Sequence, residues 1–190
     1  MRIVGGEWRG RALETPEGKG TRPTTDRIRE AIASMVLSAF DLDLDGVSVL
    51  DAFAGSGAMG LEFLSRGAER CTFVESDRRA AGVVRRNVAS LGASGRTDVL
   101  MCDAFQLTRR TSVPGAPFDL VVLDPPYALS AERVSGLVED LGKAGLLVPG
   151  ALVLYERAAD APALSLASAT MVRERSHGST AVNLYRTEEE

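Results

Sequence analysis

From residue 47 onward, short apolar segments rich in Val, Leu and Phe alternate with segments whose apolar residues recur at helical spacing. Strands are predicted at 47–51, 70–76, 97–103, 118–124 and 151–156, with helices at 58–66, 78–91 and 131–144. Parallel neighbours cannot be joined by a tight turn, and helical crossovers cover both faces of the sheet they connect. The alternation therefore predicts an α/β fold, a mostly parallel sheet with helices on both faces. Segments 171–175 and 181–186 flank Ser176-His177-Gly178-Ser179 and predict a closing antiparallel hairpin, with His177 an exposed turn residue. Upstream, segments 2–6 and 10–15 alternate weakly about a glycine-containing turn and predict a short hairpin, followed by a loop over 16–20. Thr24-Thr25-Asp26 supplies N-cap residues for a helix carrying Ile28, Ala31, Ile32, Met35 and Val36 on one stripe. The expected division is an N-terminal segment over 1–22 and one domain over 23–190.

Composition excludes several classes. With 190 residues, 45% hydrophobic and 25% charged, the chain is long enough for one well-buried domain and too apolar for disorder. No apolar run approaches the ~20 residues that span a bilayer, and the N-terminus has no signal-peptide core, so a cytoplasmic protein without membrane contact is expected. Cys71 and Cys102 lie far apart in or beside apolar runs and read as free thiols. One His and no Cys cluster predict no metal. The net charge of −4 is unevenly spread: residues 1–29 carry +3 and the rest −7. A basic segment on an acidic body can still contact phosphates, because the local field decides. Arg2, Trp8, Arg9, Arg11, Arg22 and Arg27 are the candidate RNA contacts, although a solvated hairpin accounts for the same composition. Glu188-Glu189-Glu190 reads as a solvated tail.

The richest stretch chemically is Asp124-Pro125-Pro126-Tyr127, which ends the fourth predicted strand. The amine of adenine, cytosine or guanine delocalises its lone pair into the ring and is a weak nucleophile until acceptors draw that pair back onto nitrogen. A carboxylate oxygen of Asp124 and the Pro125 carbonyl can each take one N–H. The prolines fix φ near −65° and carry no N–H, which holds the loop in one shape. Tyr127 supplies a stacking face, worth roughly 1–3 kcal/mol per base. The bland alternative is an Asp-Pro turn that happens to precede a tyrosine.

A second constellation surrounds the first strand. Gly55, Gly57 and Gly60 satisfy G-x-G-x-x-G between a strand and a helix, where backbone can approach a ligand closely. In a dinucleotide oxidoreductase the strand would run almost directly into the first glycine. Here Asp51 ends the strand and Ala52-Phe53-Ala54 intervenes, as in the first motif of S-adenosylmethionine-dependent methyltransferases. Glu75, at the second strand end, can accept ribose hydroxyls, and Asp77 reads as the N-cap of the following helix. At the third strand end Asp103 can accept an adenine amino group, while the Ala104 N–H meets a ring nitrogen. Phe53, within the loop, joins this cofactor set.

The segments Arg2 to Arg11 and Thr21 to Glu30, joined to Leu50 through Gly57 and to Asp124 through Tyr127, resemble the RsmD family of bacterial 16S rRNA guanine-N2 methyltransferases. The resemblance covers nearly the whole chain. It implies a Rossmann-like methyltransferase fold with a seven-stranded sheet and an N-terminal hairpin that engages RNA. It implies cofactor roles for Asp51, Gly55, Gly57, Glu75 and Asp103, and target-amine roles for Asp124, Pro125, Pro126 and Tyr127. The implied substrate is guanine 966 of 16S rRNA within the small ribosomal subunit or its assembly intermediate, with S-adenosylmethionine as methyl donor; a monomer is the simplest expectation. Two rivals remain: an adenine-N6 DNA methyltransferase, which shares the tetrapeptide, and a non-catalytic cofactor-binding RNA module.

Overall fold

The computed structural model describes residues 1–16 and 25–189. Seven strands form one sheet: β1 (Ser48–Asp51), β2 (Arg70–Val74), β3 (Thr97–Leu100), β4 (Phe118–Leu123), β5 (Leu147–Ala158), β6 (Ala169–His177) and β7 (Thr180–Thr187). Their order is β3-β2-β1-β4-β5-β7-β6, with β1 to β5 mutually parallel and β7 antiparallel to both neighbours. The helices are α1 (Asp26–Ala39), α2 (Ala58–Ser65), α3 (Arg78–Leu91) and α4 (Ala131–Lys143).

Strand side chains alternate between two apolar cores because the strand period is two. Val49, Leu120, Val122 and Leu154 pack with Ile32, Leu61 and Val84 from α1, α2 and α3. Leu50, Val121, Leu123 and Val153 pack with Val134, Leu137 and Leu141 of α4 on the opposite face. Helices therefore cover both faces, and the α/β expectation holds. The helix starts obey local capping chemistry: Asp77 accepts the Ala80 N–H at 2.8 Å, and Ser130 accepts that of Arg133.

Most element ends shift by one or two residues, and the larger differences from expectation have local causes. β3 stops at Leu100 rather than 103, because Asp103 turns its carboxylate onto the Phe105 N–H at 3.1 Å and caps a 3-10 turn over Ala104–Arg109. β5 extends past both predicted ends. His177 is the half-buried last residue of β6, and the turn is confined to Gly178-Ser179.

The N-terminal hairpin reduces to a single antiparallel bridge, Arg2 to Ala12, and the segment lies on α2. Fully buried Glu62 accepts the N–H groups of Val4 at 2.9 Å and Gly5 at 2.8 Å, and pairs with Arg66 at 2.8 Å. Ser65 Oγ donates to Gly5 O and accepts from Trp8 N, at 2.6 and 3.0 Å. Gly6 has φ +77°, and a Cβ on it would stand 1.8 Å from the Ser65 carbonyl oxygen. Only glycine permits that approach. Ile3, Trp8 and Leu13 join the core beneath α1 to α3.

Candidate active site

β1 sits between β2 and β4, where the chain reverses its direction of travel across the sheet. Such a switch point opens a crevice beyond the strand ends. Asp51 ends β1, and Asp124 follows the last residue of β4. Both line a cavity of about 990 Å³.

The loop after β1 forms one wall. Gly55 and Gly57 have φ of +55° and +78°, and Gly57 starts α2 in the left-handed region. At Gly60 an added Cβ would meet the Phe73 ring at 2.4 Å and Cys71 Sγ at 2.6 Å, so its role is the close packing of α2 on β2. The Gly60 N–H donates to Asp51 Oδ2 at 3.1 Å. Burial, opposed by that bond and reinforced by the charge of Glu75, pushes the Asp51 carboxyl up to about 7. Glu75 accepts the N–H of Gly55 through one oxygen and that of Asp77 through the other, each at 2.8 Å. One carboxylate thus ties the first glycine to the start of α3.

Phe53, Asp103 and Ala104 also line the cavity, whereas Gly57 stands behind it. Phe53 meets Phe105 edge to face with centroids 6.4 Å apart, and the Arg133 guanidinium lies 4.8 Å from the Phe105 ring centre. Opposite, Asp124, Pro125, Pro126 and Tyr127 all reach the same space, and Tyr127 is 67% exposed. The Pro126 carbonyl accepts the Leu129 N–H at 2.9 Å. Among the described residues no N–H donates to the Pro125 carbonyl. Crowding by protein, then the charges of Glu156 and Asp51, push the Asp124 carboxyl up to about 8. Asp124 is nevertheless exposed at the cavity, so water reaches its carboxyl and makes the rise smaller than crowding alone would give.

The family model described as "Conserved hypothetical protein 95" matches residues 1–186. The chain belongs to this family. It is 36% identical over 190 residues to "Ribosomal RNA small subunit methyltransferase D" of Escherichia coli, covering 99% of this chain and 90% of that protein. It is 32% identical to "Putative rRNA methyltransferase YlbH" of Bacillus subtilis, covering 98% of each. The solved structure described as "Putative methyltransferase yhhF from Escherichia coli" aligns with a TM-score of 0.82 at 32% identity, over all of this chain and 99% of that one. The fold is that of the S-adenosylmethionine-dependent methyltransferases, as the family resemblance implied.

Against this background the N-terminal residues divide. Trp8 corrects the expectation of an RNA contact: it is 8% exposed, packed in the core, with the Arg96 guanidinium 5.0 Å from its ring centre. No open ring face remains for a base. Arg2 pairs with Asp26 at 2.7 Å, Arg11 donates to the Ser90 carbonyl at 2.6 Å, and Arg9 and Arg27 are exposed. Arg22 lies outside the described residues. Among the cavity-lining residues that sequence reasoning did not assign to the site are four polar ones, Arg29, Glu156, His177 and Thr180. Arg29 is buried in α1 and donates to the Arg2 carbonyl at 2.8 Å and to Asp26 at 2.6 Å. Glu156 was legible as one more acid at a strand end. Arg29 carried no such signal, since a basic residue on an amphipathic helix ordinarily faces water. Among the described residues no group of three His, Cys, Asp or Glu is placed to hold a metal, and no helix is long and apolar enough to cross a membrane.

Proposed function

We propose that this protein methylates the exocyclic N2 of a guanine in 16S rRNA of the small ribosomal subunit, at position 966, with S-adenosylmethionine as donor. The carrying observation is that the Asp124-Pro125-Pro126-Tyr127 loop after β4 and the glycine loop after β1 open into one cavity. The names of the relatives from Escherichia coli and Bacillus subtilis support rRNA as the substrate.

The donor set fits a nucleoside with an amino-acid tail. Asp51, Glu75 and Asp103 end or follow three adjacent strands, and a Cβ built on Gly55 meets nothing within 4 Å, so backbone borders open space there. Asp51 would hold the methionine end and Glu75 the ribose. The Glu75 oxygens retain acceptor capacity beyond the two backbone N–H groups they already bind. Asp103 and the Ala104 N–H would read the adenine, with Phe53 against it. The cofactor, when bound, supplies an electrophilic methyl group.

The chain's own residues prepare the nucleophile. Tyr127, exposed at the mouth, stacks on the extruded base. Asp124 and the Pro125 carbonyl each accept one amine N–H, which favours a pyramidal nitrogen with its lone pair directed away from both. Positioning supplies most of the acceleration. The test is mass spectrometry of 16S rRNA from a strain lacking the protein. Loss of one N2-methylguanine, restored by the wild-type gene, supports the reading, and an unchanged guanine profile refutes it.

A further inference from the structure

The Asp-Pro-Pro-Tyr loop binds an amine but does not name the base, since adenine N6, cytosine N4 and guanine N2 all offer two N–H donors. The three differ in the ring atom beside the amine. Adenine N1 and cytosine N3 are acceptors, whereas guanine N1 carries a proton and is a donor. A second acceptor beside the amine site would therefore favour guanine and repel the other two.

The fold places such a group. Register pairs Asp51 with Val122 and Val122 with Leu154. Two residues further along the two parallel strands lie Asp124 and Glu156. Asp124 opens the loop directly after β4, Glu156 lies on the neighbouring strand β5, and strands so paired stand about 4.8 Å apart. Glu156 is half-buried and lines the same cavity as Asp124, Pro125 and Tyr127. Its charge is among the causes that raise the Asp124 pKa, so the two carboxylates feel one another. An edge presenting two adjacent N–H donors relieves that repulsion. An edge with a donor beside an acceptor does not.

We propose that Glu156 selects guanine, its carboxylate accepting the N1–H while Asp124 accepts an N–H of N2. The assignment rests on the methyl-transfer reading above and adds to it the determinant of base identity. Glu156 is a specificity residue, and the transferred methyl still arrives at nitrogen held by Asp124 and Pro125.

The experiment compares small-subunit particles reconstituted with guanine or with 2-aminopurine at the methylated position. 2-Aminopurine keeps the N2 amine but has an acceptor at N1. Wild-type kcat/KM should favour guanine by about tenfold to a hundredfold. Glu156→Gln, whose amide can either accept from or donate to N1, should narrow that preference to about threefold or less, chiefly by raising turnover of 2-aminopurine. Unchanged S-adenosylhomocysteine affinity by calorimetry establishes that the variant is folded. An unchanged preference in Glu156→Gln overturns the assignment, and so does a wild-type enzyme that treats the two bases alike. Wild-type enzyme that methylates neither base refutes the methyl-transfer reading and this assignment with it, an outcome distinct from loss of discrimination alone.

Discussion

Glu62, fully buried in α2, accepts the backbone N–H of Gly5 at 2.8 Å. The same carboxylate holds Val4 and Arg66, so one side chain joins the N-terminal segment to the sheet-covering helices. Removing it leaves two N–H groups and a largely buried guanidinium short of an acceptor, although Arg66 retains Glu30 at 2.6 Å. Glu62→Ala should lower unfolding stability by about 3–5 kcal/mol in urea titration. A loss below about 1 kcal/mol would mean that apolar packing of Ile3, Trp8 and Leu13 holds the segment unaided.

Asp51 connects stability to pH. Its folded pKa is raised to about 7 from 3.8, so between those values the folded state binds more protons than the unfolded chain. Stability must then fall as pH rises through that window. Asp51→Asn keeps an oxygen for the Gly60 N–H and removes the titration. In the cofactor-free protein the variant should be more stable than wild type at pH 8, by on the order of 2–4 kcal/mol, with the difference shrinking toward pH 4. Thermal or chemical unfolding across pH checks this, and a pH-independent difference would contradict it.

Asp124 should control the acid limb of activity. With its carboxyl raised above the usual carboxylate range, the fraction able to accept an amine N–H as the anion grows with pH, and kcat/KM should climb as pH rises from the acid side toward neutrality. Asp124→Asn retains an acceptor oxygen and should flatten that limb at a lower plateau. Asp124→Ala should cut transfer by about a hundredfold or more, a loss of the size seen when one preorganised polar contact is removed, with cofactor affinity largely preserved. Radiolabelled-cofactor assays on small subunits measure all three.

How far the sequence disclosed this site depends on the physics behind each residue. The segment 78–91 coincides with α3 because periodicity, the Asp77 cap and Gly92 beyond its end are all local signals. The acids that end β1 and follow β2 and β4 were legible for the same reason, since strand length and a polar terminus are short-range features. Trp8 was misread because its burial is set by Arg96 and Ser65, residues remote in sequence. The true end of β3 was hidden because Asp103 prefers to cap its own turn. Arg29 and His177 reach the cavity only through packing of α1 and β6 beside it. Strand order, which only tertiary pairing fixes, turns Glu156 from a strand-end acid into the neighbour of Asp124.

Tyr127 is 67% exposed and makes little packing contribution to lose. Tyr127→Ala should leave the unfolding midpoint within error while lowering kcat/KM on the ribosomal substrate by about five- to 150-fold, the range for one lost base stack. Tyr127→Phe retains the ring and should approach wild type. Equal losses in the two variants would assign the function to the hydroxyl instead.

The correction at Trp8 moves attention to β6, whose last residue, His177, reaches the cavity. Arg173 and Arg175 stand two residues apart on β6, the exposed edge strand, and His177 continues that alternation into the cavity wall. Glu174, between them, turns to the other face and bonds Asn183 and Arg157 at 3.0 and 3.3 Å. Arg173 and Arg175 make no ion pair among the described residues, so their charge is available to phosphates flanking the extruded base. Each phosphate neutralised contributes roughly 0.7–0.9 to the slope of log affinity against log salt. Changing both to Gln should raise KM for the ribosomal substrate at 0.15 M salt and reduce the steepness of its salt dependence by about 1.5. Cofactor affinity and kcat should stay near wild type, because neither side chain lines the cavity. An unaltered salt slope would place the RNA backbone elsewhere and return Arg9 and Arg27, both exposed, to first consideration.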